Sequence, residues 1–237
     1  NRVWIILFAS TFLIFWMLCL RGNMVCQYFT NYLKFEGTQD FMNKIGYGMI
    51  INPKEKAFEL FNMVGMGFTI FGIILSKPLS IKMGKKELFI LGLVLASIFN
   101  ALIYISPQTS PFQAIIINIF QSFSYGLTIP LLWSMLGDVA DFAMWKFNRR
   151  STGVVFAGVS FALKMGLGVG LATATWIRAV YEIKPDQFDV RGFRLGVSIY
   201  PSILFAFAAV LLFFYSISSS MEHQMQNDLA ARRDAKK

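Results

Sequence analysis

The residues of this chain best suited to chemistry are a few ionisable side chains set among long apolar runs. Lys164 lies about 13 residues, or roughly 20 Å at 1.5 Å per residue, into the apolar run 152–177. Arg21 lies within the first run, 3–33. A charged group at such depth costs roughly 2.5–3.5 kcal/mol on insertion scales unless it meets water or a partner, so both are candidates for binding or coupling. The alternative use of Lys164 is a purely structural ion pair. By helical spacing Ser160, Gly168 and Thr175 share its face. Arg21 shares a face with Tyr28 and Tyr32. In the run 111–136, Asn118, Gln121, Tyr125 and Thr128 fall on one side, Pro130 interrupts the backbone ladder and Trp133 follows. Polar groups beside an aromatic ring suit a small polar ligand with an apolar face, such as a sugar. Hydrogen bonding between helices is the other use such residues have.

A second group lies between two apolar runs, in "GDVADFAMWKFNRRSTG" (137–153). Asp138, Asp141, Lys146, Arg149 and Arg150 make it the most charged passage outside the tail, which by itself reads as a solvated charge cluster. Enzyme chemistry finds no footing. The single His223 sits in the polar tail, so no Ser-His-Asp or Cys-His set can form within the apolar runs. Cys19 and Cys26 lie on one helix without the spacing that holds a metal, so no cofactor or metal is expected. No carboxylate falls within the apolar runs, so an acid binding a coupling cation is expected elsewhere.

The elements that must carry these residues follow from composition. Of 237 residues 56% are hydrophobic and only 15% charged, against roughly a quarter in a soluble domain. Mean hydropathy is +0.56. Six apolar runs, at about 3–33, 57–76, 87–105, 111–136, 152–177 and 193–216, each approach or exceed the ~20 residues that cross a bilayer. Lipid offers no partner to unpaired backbone groups, so these runs are helices. The expected fold is an all-α membrane bundle of six spans over 1–221, with a polar surface tail at 222–237. The net charge of +9 is scattered through short connecting segments, which argues against a nucleic-acid face. Lysine and arginine are denser at the N-terminus, 77–86, 146–150 and the tail than on the opposite side, which puts both termini in the cytoplasm. The first run is too long for a signal peptide, and the start at Asn1 suggests a fragment or a processed chain. One further pattern sits in the fifth run: Gly158, Ala162, Gly166, Gly170 and Ala174 form a stripe along which another helix backbone can approach closely. Lys164 points away from it.

With these residues placed, the sequence resembles the glycoside–pentoside–hexuronide:cation symporters, the melibiose-permease branch of the major facilitator superfamily. The family pattern after its tenth helix reads approximately D-x-x-D-Y-x-E-[WYF]-K-x-x-x-R, with a lysine in the eleventh. Asp138, Asp141, Phe142, Trp145, Lys146, Arg150 and Lys164 fall into that register without a gap. "RGNMVCQYFTNYL" resembles the seventh helix and "SKPLSIKMGKKELFILG" a loop between paired helices. The chain departs at Met144, where the family has Glu, at Phe142 for Tyr, at Lys77 for Gly and Ile81 for Asp, and at Ile129 for a sugar-contacting Trp. The resemblance implies helices seven to twelve of a twelve-helix transporter, one 3+3 inverted repeat, with the N-terminal half as partner. It implies symport of a small sugar with Na+ or H+ in a bacterial inner membrane, the cation site lying in the other half. It gives Lys164 a coupling role and makes Asp138, Asp141, Lys146, Arg149 and Arg150 a cytoplasmic gate, while the polar faces read above leave Tyr125, Thr128, Gln121, Trp133, Arg21 and Tyr28 as the residues expected to line the substrate path. A lysolipid-like amphiphile as substrate, or a non-transporting membrane scaffold, stays open at this point.

Overall fold

The computed structural model describes residues 2–49, 51–148, 152–181 and 190–234. Among them the chain is helical, with no strand. The helices are α1 (Arg2–Gln27), α2 (Phe35–Lys44), α3 (Pro53–Met83), α4 (Lys85–Leu102), α5 (Phe112–Phe147), α6 (Thr152–Val180), α7 (Val190–Val197), α8 (Ile199–Phe213) and α9 (Ser219–Asp234). A π-helical turn, Tyr28–Tyr32, prolongs α1, and a 3-10 turn, Ile103–Ile105, prolongs α4. Six helical stretches are long and apolar enough to cross a membrane: those built on α1, α3, α4, α5 and α6, and the α7–α8 pair.

The packing is that of an inverted repeat. α1 packs on α6 and α8, α5 packs on α3 and α4, and α4 meets α8. Exchanging the first three spans for the last three turns the α1–α6 contact into α5–α3 and the α1–α8 contact into α5–α4. The stripe of small residues on α6 does what its spacing predicts. A Cβ on Gly166 would stand 2.6 Å from the carbonyl oxygen of Phe12, and one on Gly170 2.6 Å from that of Trp16. Two helix backbones meet there with no room for side chains. The equivalent contact uses Gly72 against the Phe123 carbonyl, at 2.4 Å, and Gly126 against that of Thr69, at 2.3 Å.

The ends of the helices set the charged cluster. α3 passes to α4 through Gly84 alone, whose φ of +94° suits glycine. α5 runs well beyond the span expected from hydropathy. Residues 137–147 are not a loop but the last three turns of this helix, closed by Asn148 in the left-handed conformation at φ 51°. Asp138, Val139, Ala140, Phe142 and Ala143 are buried there, and that packing keeps a charged sequence helical. α9 lies against this end with Met225 and Leu229 buried. At the opposite end α2 is an extra amphipathic helix in the long 34–52 connection. It buries Thr38 and Met42, and Phe41 sits 6.1 Å from the Phe112 ring.

Candidate functional site

Lys164 is exposed on α6, on the side opposite the glycine stripe, with Ser160, Gly168 and Thr175 exposed beside it. It belongs to none of the ion pairs among the described residues, which join Lys56 to Glu59 and Lys85 to two carboxylates. A cation therefore stands on the outer surface of the bundle at mid-span, with no counter-charge among the described residues.

Arg21 is placed quite differently. It turns into the bundle and ties three helices. Its Nε donates to Asn100 Oδ1 and its Nη2 to Asn118 Oδ1, each at 2.7 Å, while the Phe61 ring lies 5.7 Å from the guanidinium carbon. Both asparagines are bonded further in turn. Asn100 Nδ2 donates to the carbonyls of Val197 (3.1 Å) and Ser198 (2.8 Å) and to Ser202 Oγ (3.1 Å). Those carbonyls lie where α7 stops and α8 starts, so the side chain ties α4 to that junction. Asn118 Nδ2 donates to the Phe61 carbonyl at 2.9 Å. The hub thus fixes α1, α3, α4, α5 and the α7–α8 break at one level. Asn100 is absent from the residues expected above, although an asparagine in an apolar run was a signal in its own right.

The remaining expected residues divide by direction. Gln121, Thr128 and Tyr125 face inward along α5. Thr128 is buried and donates to the Tyr125 carbonyl at 2.6 Å, and the Tyr125 ring lies 6.1 Å from that of Phe205. Trp133 is 45% exposed and points out of the bundle. Tyr28 is buried two turns beyond Arg21, stacked at 4.7 Å on Tyr32, and its hydroxyl has no partner among the described residues.

At the α9 end Asp138 is only 7% exposed and is held by Lys85, whose Nζ lies 3.0 and 2.9 Å from its two oxygens. The same Nζ lies 2.6 Å from Glu222 Oε1 on α9. Lys86 donates to the carbonyls of Phe213 and Tyr215, at 3.0 and 2.6 Å. Trp145 Nε1 donates to Asp228 Oδ2 at 2.8 Å, and Arg232 Nη1 to the Trp145 carbonyl at 3.2 Å. Buried below, the Tyr215 phenol is pushed well up by desolvation and then by the Asp138 and Glu222 carboxylates. Asp141 is half-exposed and in no ion pair among the described residues, and exposed Lys146 lies 5.4 Å over the Phe142 ring. Arg149 and Arg150 lie outside the described residues. Lys85, Glu222 and Asp228 carry this cluster, and only their charge, not their pairing, is visible in the sequence.

The inverted repeat, the six spans and the two intramembrane cations meet in one comparison. The family model for "MFS/sugar transport protein" matches residues 1–219. The chain belongs to that family. The family is one of transporters, not enzymes, and the chain is an integral membrane protein. It is 26% identical over 181 residues to the Escherichia coli "Putative glycoside/cation symporter YagG", covering 74% of this chain and 39% of that one. It is 28% identical over 110 residues to the E. coli "Inner membrane symporter YicJ", covering 46% and 24%. It is 22% identical over 167 residues to the E. coli "Glucuronide carrier protein homolog", covering 67% and 36%. The chain thus spans between about a quarter and two fifths of the length of these relatives. No solved structure matches it.

Proposed function

We propose that this chain is the C-terminal half of a secondary transporter that moves a sugar or glycoside together with Na+ or H+, by alternating access, across a bacterial inner membrane. The observation that carries the reading is Lys164. It is a cation on the outward face of a span, without a counter-charge among the described residues, and such a charge needs an anion supplied from beyond these helices. A facing N-terminal half with membrane-buried carboxylates supplies it. Sugar and cation occupying those acids change the pairing of Lys164, and the rocking equilibrium shifts with it. The glycoside and symporter names of the relatives agree with this reading. At the cytoplasmic end the Asp138 cluster, with Asp141, Lys146, Arg149 and Arg150, closes the path.

The test is uptake of labelled glycosides by the full-length protein in proteoliposomes, under imposed Na+ or proton gradients. Lys164→Ala is expected to reduce accumulation to simple equilibration. Accumulation at the wild-type level in that variant overturns the coupling role.

A further inference from the structure

The end of the bundle opposite α9 holds a groove that the transport reading does not use. It runs between α2 and the turn leading into α5, with a volume of about 540 Å³, inside the range of roughly 300–1,000 Å³ that small-molecule sites occupy. α2 is seated firmly on that turn. The Lys34 amide donates to the Gln108 carbonyl at 2.9 Å, and a Cβ on Gly37 would overlap the Thr109 carbonyl oxygen. The two backbones touch there, which holds the walls of the groove in register.

The lining is sorted by chemistry. Glu36, Asp40 and Lys44 follow one another at four-residue spacing along one edge of α2, about 6 Å apart along its axis. All three are exposed. Asp40 and Lys44 are spaced to pair with each other, yet none of the three enters an ion pair among the described residues. Behind them Phe41, Ile45 and Phe112 make an apolar floor, the two rings 6.1 Å apart. Thr109 and Ser110 add hydroxyls on the far wall.

The floor continues beyond the groove. Phe112 is the first residue of the α5 span, so the groove lies where a membrane span begins, at the level of lipid headgroups. Phe112, Ile116 and Phe120 follow one turn apart on the surface of α5, 55%, 38% and 50% exposed. They make an apolar track about 12 Å long that descends into the hydrocarbon. Phe120 stacks on Phe99 at 5.3 Å, so the track opens beside α4.

A ligand for this surface carries a positive and a negative group a few ångströms apart, and an apolar tail. A neutral sugar has neither the charges nor the tail, and an anionic headgroup would meet two carboxylates for one lysine. We propose that the groove is a phospholipid site selective for a headgroup with a free ammonium. The ammonium donates to Glu36 and Asp40, Lys44 takes the phosphate, and one acyl chain lies along Phe112, Ile116 and Phe120. An ammonium brings three N–H donors that a trimethylated headgroup lacks, and hydrogen bonds between charged groups are roughly twice as strong as neutral ones. The site lies beyond the transport reading and does not depend on what is carried.

The experiment is titration of the purified, delipidated full-length protein, read by native mass spectrometry, with three dioleoyl lipids alike except in the headgroup: phosphatidylethanolamine, phosphatidylcholine and phosphatidylglycerol. The ethanolamine lipid is expected to bind roughly tenfold or more tighter than either of the others, the worth of one charge-assisted hydrogen bond. Glu36→Gln together with Asp40→Asn should bring the ethanolamine-to-choline ratio close to one. Lys44→Gln should weaken both lipids several-fold and leave the ratio standing. The three side chains are exposed, so these variants should melt as the wild type does. Equal binding of the ethanolamine and choline lipids by the wild type overturns the proposal. So does a preference that persists in the double variant, which puts the lipid elsewhere on the bundle. Binding of methyl glucoside that the double variant abolishes, with no lipid preference, overturns it as well and gives the groove to a sugar.

Discussion

Tyr215 and Lys85 feel the same two carboxylates, Asp138 and Glu222, and answer to charge in opposite ways. The Tyr215 hydroxyl is buried without a partner among the described residues, and its folded-state pKa lies above the ordinary value near 10. The folded protein therefore keeps this proton after the unfolded chain has lost it. Stability is therefore unaffected by this group below about pH 10 and falls as the pH rises further, since only the unfolded chain then gives up the proton. Tyr215→Phe removes a buried hydroxyl that makes no bond, so melting at pH 7 should be unchanged or rise by the equivalent of up to about 1 kcal/mol. The variant should also melt at a less pH-dependent temperature between pH 9 and 11. Lys85 is the reverse case. Lys85→Met strands Asp138 and Glu222 in a half-closed site, and a cost of about 2 kcal/mol is expected, below the 3–5 of a fully buried pair because Lys85 keeps some water. Glu222→Gln should cost less, since Asp138 retains its cation. Thermal melts of the three variants check the order.

At the scale of elements, what was legible in the sequence was what depends on neighbours in sequence. Unbroken apolar runs gave six spans, and a four-residue repeat of small side chains gave the face on which α6 meets α1. Gly166→Leu tests that face. Its side chain would meet the backbone of Phe12 and Trp16, so the helices must part, at a cost of about 1–3 kcal/mol. A lower yield of monodisperse protein on size exclusion, and a lower melting temperature, are the expected readings. The last three turns of α5 were not legible. Their charges read as a loop, because what holds them helical is burial against α4 and α9, far away in the chain. The Lys85–Glu222 pair joins residues 137 positions apart, and no spacing rule reaches that far. Arg21 was legible as a buried charge but not as a hub, since its partners Asn100 and Asn118 come from two other spans. α2 was missed for a related reason. Ten mostly polar residues become a helix only once Thr38 and Met42 have a surface to cover.

Over the whole molecule the strong contacts run α6, α1, α8, α4, α5, α3, so that α6 and α3 end the row. These two, equivalent under the inverted repeat, are also the spans with the least covered apolar stretch, 28% and 17% buried against 61% for α5. Lys164 lies on one of these free ends, where the proposed second half would meet it. Under the proposed reading, a bundle rocking against such a partner needs its own helices held together at the end where the path would close. Here α9 does that, gripping Lys85 through Glu222 and Trp145 through Asp228 while Met225 and Leu229 cover the surface beneath. Truncation of the full-length protein after Ser218 removes all four contacts and should loosen the last turns of α5 without unfolding the spans. Trypsin cutting at Lys146, already exposed, then reports the change, because cleavage follows the population of the opened helix end. A loss of about 1.4 kcal/mol of local stability speeds it roughly tenfold, while the far-ultraviolet spectrum of the spans should be unchanged. Equal cleavage rates in both proteins would mean that α9 rests on the bundle without holding it.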